Sequence, residues 1–134
     1  MRKRVTLITL LVAGLAAPAA AQDTVQFMAG AWECRLPDQA NSKTPPILYI
    51  GLTREQGGAA RTDLVEVDGF SRAIFGMAKV APGDGGWVQL SPETGEPILV
   101  HALNPGTGAL PAMSVKRSAS GEAYHCLRLP YPKT

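Results

Sequence analysis

Turn signals interrupt this chain about every ten to twelve residues, and the apolar runs between them carry no sustained helical period. That spacing predicts an all-β domain of short antiparallel strands. The runs are 31–36, 47–53, 62–67, 70–80, 87–90, 98–103, 112–116 and 123–129. Between them lie Gly57-Gly58, Asp68-Gly69, Pro82-Gly83-Asp84-Gly85-Gly86, a Ser91-to-Pro97 turn, Asn104-Pro105-Gly106 and Ser118-Ala119-Ser120-Gly121. The longest connection is the polar loop 37–46. Eight strands joined by mostly short turns predict an up-and-down barrel, which removes sheet edges by closing on itself. A two-sheet β-sandwich is the alternative.

The individual runs add detail. In 31–36, Trp32, Cys34 and Leu36 share one face and Glu33 and Arg35 the other, as in a half-buried strand. The run 47–53 is nearly all apolar, as expected of a strand covered on both faces or lining a cavity. Val65 and Val67 share a face in 62–67. The run 70–80 is long enough to bend, with Gly76 as a candidate bulge. Asp23 or Thr24 is placed to cap a short helical turn through Met28.

The first 21 residues read as a cleaved export signal. Arg2, Lys3 and Arg4 form a basic start, 5–17 is apolar and short of the roughly 20 residues that span a bilayer, and Ala19-Ala20-Ala21 is an A-x-A cleavage site. The domain is then 22–134, without a membrane anchor, in a bacterial periplasm or outside the cell. Three of the 13 basic residues and none of the 11 acidic residues lie in that leader, which leaves 10 against 11, or −1, for the domain. Such a balance gives no support for a nucleic-acid partner. In an oxidising compartment the two cysteines read as a disulfide, with two buried thiols as the alternative.

A register argument ties the ends together. The first and eighth strands of an up-and-down barrel are antiparallel neighbours, so opposed residue numbers have a constant sum. Placing Cys34 opposite Cys126 sets that sum at 160, and Trp32 then faces Arg128 and Leu36 faces Tyr124. A cation–π contact of ~0.5–2 kcal/mol follows for Trp32 and Arg128. A disulfide closing a loop of about ninety residues is worth ~4–5 kcal/mol in chain-entropy models.

Gly30-Ala31-Trp32 on the first strand, a short helical turn before it, and Arg128 on the last strand resemble the calycin superfamily of lipocalin-like barrels. The resemblance implies an eight-stranded barrel with Gly30, Trp32 and Arg128 as its structural seam, and a small apolar ligand as the expected occupant. Bacterial secreted metalloprotease-inhibitor barrels are similar in size and in their Ala-Gly-x-Trp start. They imply the alternative, a protein-binding module such as a protease inhibitor or an envelope-assembly partner.

Tyr49, Phe75, Met77, Trp87 and Met113 are the candidate cavity-lining residues; the same side chains would equally fill a small core. Small residues among the strands, such as Ala73, Gly76, Ala78, Ala102 and Ala112, leave space for a ligand. His101 and His125 are the only histidines. His125 and Cys126 are adjacent on a strand and point to opposite faces, so no closed zinc site is expected. No nucleophile motif or phosphate-binding loop is present, and Glu66 with Asp68 reads as a solvated rim. The expected function is therefore non-catalytic and cofactor-free: binding of a small apolar or amphipathic molecule.

Overall fold

The computed structural model describes residues 19–68, 71–104, 110–118 and 120–130. One helix, α1 (Ala19–Phe27), precedes nine strand segments. These are β1 (Gly30–Arg35), β2 (Ile47–Ile50), β3 (Arg54–Gln56), β4 (Ala59–Asp68), β5 (Ser71–Pro82), β6 (Val88–Pro92), β7 (Ile98–Ala102), β8 (Ala112–Lys116) and β9 (Ala123–Arg128). The segments form a closed eight-stranded antiparallel barrel, because β2 pairs with both β1 and β4, and β1 also pairs with β9. The sandwich alternative is thereby set aside.

The second stave is broken in two. β2 and β3 lie along the same edge of β4, with the pairing offset by one residue between them. Gly51 still donates its N–H to Asp63 O at 2.8 Å, and Thr62 Oγ1 bonds Gly51 O at 2.6 Å. The chain then turns back at Gly57 (φ 62°) and Gly58 (φ 80°), the two left-handed positions of a tight hairpin. On β5, Phe75 is the extra residue between the pairs Leu64–Gly76 and Val65–Ile74, so the expected bulge is present. Gly76 takes φ 71° there, a conformation that side-chain-bearing residues rarely adopt. The predicted Asp68-Gly69 turn extends beyond the described residues.

Strand parity sets the interior. Trp32, Cys34, Leu48, Ile50, Leu64, Ala78, Val88, Leu90, Ile98, Val100, Met113, Val115 and Cys126 form one buried cluster with Met28. Val65 and Val67 take the outer face of β4, and Thr62, Leu64 and Glu66 the inner one.

The first and last strands pair in the expected register: Trp32 with Arg128 and Cys34 with Cys126. The cysteines are disulfide-bonded, with Cα atoms 4.1 Å apart. The Arg128 guanidinium lies 4.7 Å from the Trp32 ring centre and 5.1 Å from that of Phe27. It also donates to Phe27 O, and to Ala29 O at 3.2 Å. Trp32 Nε1 donates to Met28 O at 2.8 Å. Arg128 and Trp32 thus fasten the chain leaving α1 to the barrel wall.

α1 runs longer than the expected turn, and Thr24 does not cap it. Thr24 is buried in its interior and pins the helix over one end of the barrel. Its Oγ1 donates to Gly86 O at 3.2 Å and accepts from Ala102 N–H at 3.1 Å. Ala21, the last residue of the predicted leader, packs in the core; residues 1–18 of that leader lie outside the described residues.

Candidate functional site

α1 packs over the β6–β7 side of one barrel end, where Thr24 bonds Gly86 O and Ala102 N–H; the end away from α1 is the mouth. That end is where β1, β4, β6 and β8 finish and where β2, β5, β7 and β9 begin. Around the ring the order is β1, β2, β4, β5, β6, β7, β8, β9, which places β4 and β8 on opposite sides.

Glu66 on β4 faces inward beside the core residue Leu64. Its side chain is only 7% exposed, although it stands near the end of its strand. Arg117, the residue after β8, is 49% exposed and brings its Nη2 to 2.9 Å from Glu66 Oε2. The pair therefore bridges the mouth between opposite walls. A buried carboxylate needs such compensation, because stripping its water is costly unless a cation or hydrogen-bond donors replace it.

Beneath the bridge is a small, largely apolar cavity. Cys34, Pro46, Leu48, Ile98, Val115 and Tyr124 line it together with the two charged groups. Its volume is about 20 Å³, close to the space one water occupies. The interior below is packed. Two wider hollows are present, one on the outer surface beside Leu99 and Ser118, and one at the helix-covered end, between Gln22, Val25 and Gln26 of α1 and Ala60, Val80 and Pro82 of β4 and β5; no buried charged group lines either.

The five residues expected to line a cavity are not brought together. Met113 is fully buried, but it fills the core. Phe75 is half-buried and packs on the core from the bulge. Tyr49 alternates with the inward Leu48 and Ile50 and is 46% exposed on the outer wall. Met77 opposes the exposed Asp63 outside, since its neighbour Ala78 takes the inward position. Trp87 precedes the inward Val88. Its ring lies 5.2 Å from that of His101, with Lys116 Nζ 5.1 Å from its centre. Tyr49, Met77 and Trp87 are therefore corrected from the interior to the outer wall.

Glu66 moves the other way, from an expected solvated rim into the barrel. The signal for it lay in the alternation Thr62, Leu64, Glu66: if Leu64 faces the core, so does Glu66. Arg117 has no sequence signal beyond its place just after a strand. His125 is exposed while Cys126 is buried, and among the described residues no three His, Cys, Asp or Glu side chains are grouped as metal ligands.

The outer wall carries one further feature. Cross-strand pairing aligns Leu129, Ala31, Tyr49, Val65 and Ile74 in one apolar row over four neighbouring staves and the end of β9. Ile74 is 65% exposed. Comparison with known proteins gives no match: no family model, no curated protein and no solved structure corresponds to the chain.

Proposed function

We propose that this is an exported, non-catalytic binding protein that takes a small amphipathic molecule at the open end of its barrel. The observation that carries this reading is the Glu66–Arg117 bridge above an apolar cavity. An apolar recess with a few convergent polar groups is the usual form of a small-molecule site, and at about 20 Å³ this one must widen by side-chain movement to admit more than a water. Binding is favoured over catalysis because Glu66 is engaged by Arg117, and no serine, histidine or free thiol lines the cavity among the described residues. Export is supported by the basic and apolar leader sequence and is compatible with the disulfide. The seam of Gly30, Trp32 and Arg128 supports the calycin resemblance as a matter of construction, and a shared construction does not transfer a ligand.

Native mass spectrometry of protein recovered from its own compartment, set against its denatured mass, tests the reading. A non-covalent adduct is expected, and a bulky Pro46→Trp substitution at the mouth is expected to remove it. Repeated absence of an adduct, or its survival in that variant, counts against the site.

The row from Leu129 to Ile74 favours a second reading, a protein partner that docks on the outer wall. Exposed contiguous apolar surface of this kind commonly marks an interaction site. A Tyr49→Glu, Ile74→Glu double variant should then lose a partner captured from the envelope, and retained capture would exclude the row.

A further inference from the structure

The outer wall of β3, β4, β5 and β6 carries one row of hydrogen-bond donors. The register opposes Arg54 to Arg61, Arg61 to Lys79, and Lys79 to Ser91. Directly opposed residues share a face, and the adjoining Thr62, Ala78 and Leu90 are buried on the inner one, so the four side chains stand together on the outside. Glu55 opposes Ala60 and takes the other face.

Packing does not account for this alignment, since none of the four side chains belongs to the core. Like charges held directly opposite one another across a sheet repel. The row is compensated only in part. Arg54 Nη1 stands 3.5 Å from Asp63 Oδ2, with both side chains more than half in solvent, so that pair is screened. Arg61 Nε donates to Gln56 O at 3.4 Å, which steadies the side chain and leaves its two Nη groups for another acceptor. Among the described residues Lys79 is in no ion pair. Ser91 Oγ accepts from Gln89 Nε2 at 3.1 Å, so its own O–H is left to donate.

We infer that this row is a binding site for an extended oxyanion, a short chain of linked phosphate groups. Neighbouring staves are about 4.8 Å apart, so the row runs about 14 Å from Arg54 to Ser91. A single phosphate covers one interval of that row, whereas a chain laid across the staves meets all four groups. Guanidinium groups take phosphate oxygens two at a time, and the ammonium and hydroxyl add single bonds. The bound charge also replaces repulsion between the cations by attraction to a shared partner. The site is separate from the mouth, because none of the four residues lines that cavity. A nucleic acid is disfavoured: the domain has a net charge of −1, and no aromatic ring stands in the row for bases to stack on.

Tripolyphosphate, pyrophosphate and inorganic phosphate, titrated into the wild-type protein without divalent cations, test the row. Affinity measured by calorimetry should rise with chain length and fall as salt is added. In isotope-labelled protein the Arg54 and Arg61 side-chain signals and the Lys79 and Ser91 amides should shift together. Arg61→Gln should weaken tripolyphosphate about fivefold or more, and Arg54→Gln, Arg61→Gln, Lys79→Gln should abolish its binding. Lys43→Gln, which removes a charge from the 37–46 loop, should leave binding unchanged. With no phosphate present, the melting temperature of Arg61→Gln should hold or rise by roughly 1–4 °C, because the repulsion is relieved.

Equal affinity for phosphate and tripolyphosphate, an equal loss in Lys43→Gln, or no shift along the row overturns the site. Tighter binding to an oligothymidylate, or to vesicles containing phosphatidic acid, than to tripolyphosphate overturns the class of ligand.

Discussion

Glu66 and Arg117 meet at 2.9 Å across the mouth of the barrel, each supplied by the opposite wall. Removing one partner is not equivalent to removing the other. Arg117→Ala takes away the guanidinium bonded to a buried carboxylate and should cost about 1–3 kcal/mol, between the values for exposed and buried pairs. Glu66→Gln leaves a neutral amide and a solvated arginine, and should cost less. Urea denaturation of the two single variants and the double variant checks this; single costs that simply add in the double variant would show that the pair does not stabilise the mouth.

The seam gives a second prediction. Trp32 is fully buried against Phe27, with its N–H on Met28 O, so Trp32→Ala should cost about 3–5 kcal/mol. Arg128→Lys keeps the charge and loses the planar group that lies over two rings and bonds two carbonyls. A loss of about 1–2 kcal/mol is expected for that change, with the fold retained. Thermal melts of both variants read the difference, and a silent Arg128→Lys would remove the arginine from the seam.

The disulfide links residues 92 positions apart, so it should contribute strongly through the unfolded chain. Cys34→Ser with Cys126→Ser should destabilise by about 2–5 kcal/mol. Digestion without reductant should yield one peptide pair joining Cys34 to Cys126. Alkylation of both cysteines without reductant would contradict the bond.

Thr24 makes the cleanest test of how α1 is held. Thr24→Val keeps the shape but deprives Gly86 O and Ala102 N–H of their shared partner, at about 1–3 kcal/mol. Thr24→Ser should recover most of that loss. Hydrogen exchange should report the change at Ala102 N–H, which should open faster in the valine variant and stay protected in the serine one.

The parts of the fold legible in the sequence were those fixed by local chemistry and by counting. Glycine and proline breaks marked the staves, and a constant register sum tied Trp32 and Cys34 to Arg128 and Cys126. The site is less legible because strand parity, not side-chain size or charge, decides which face a residue takes. Tyr49 and Trp87 are large, yet each adjoins an inward residue, Leu48 or Val88, and so must face out. Glu66 is charged, yet it shares the face of Leu64 and so must face in. The ion pair that makes this tolerable comes from Arg117, about fifty residues away, and only ring closure brings it near. The length of α1 was hidden because its first residues are the alanines that also read as a cleavage site.

The mouth is the central claim, and the molecule the protein itself carries tests it most directly. Ligand extracted from the native protein by denaturation should be titrated into refolded, isotope-labelled protein while amide and methyl shifts are followed. Changes centred on Leu48, Ile98, Val115 and Tyr124 are predicted. Changes centred on Tyr49, Val65 and Ile74, or no changes at all, would contradict it.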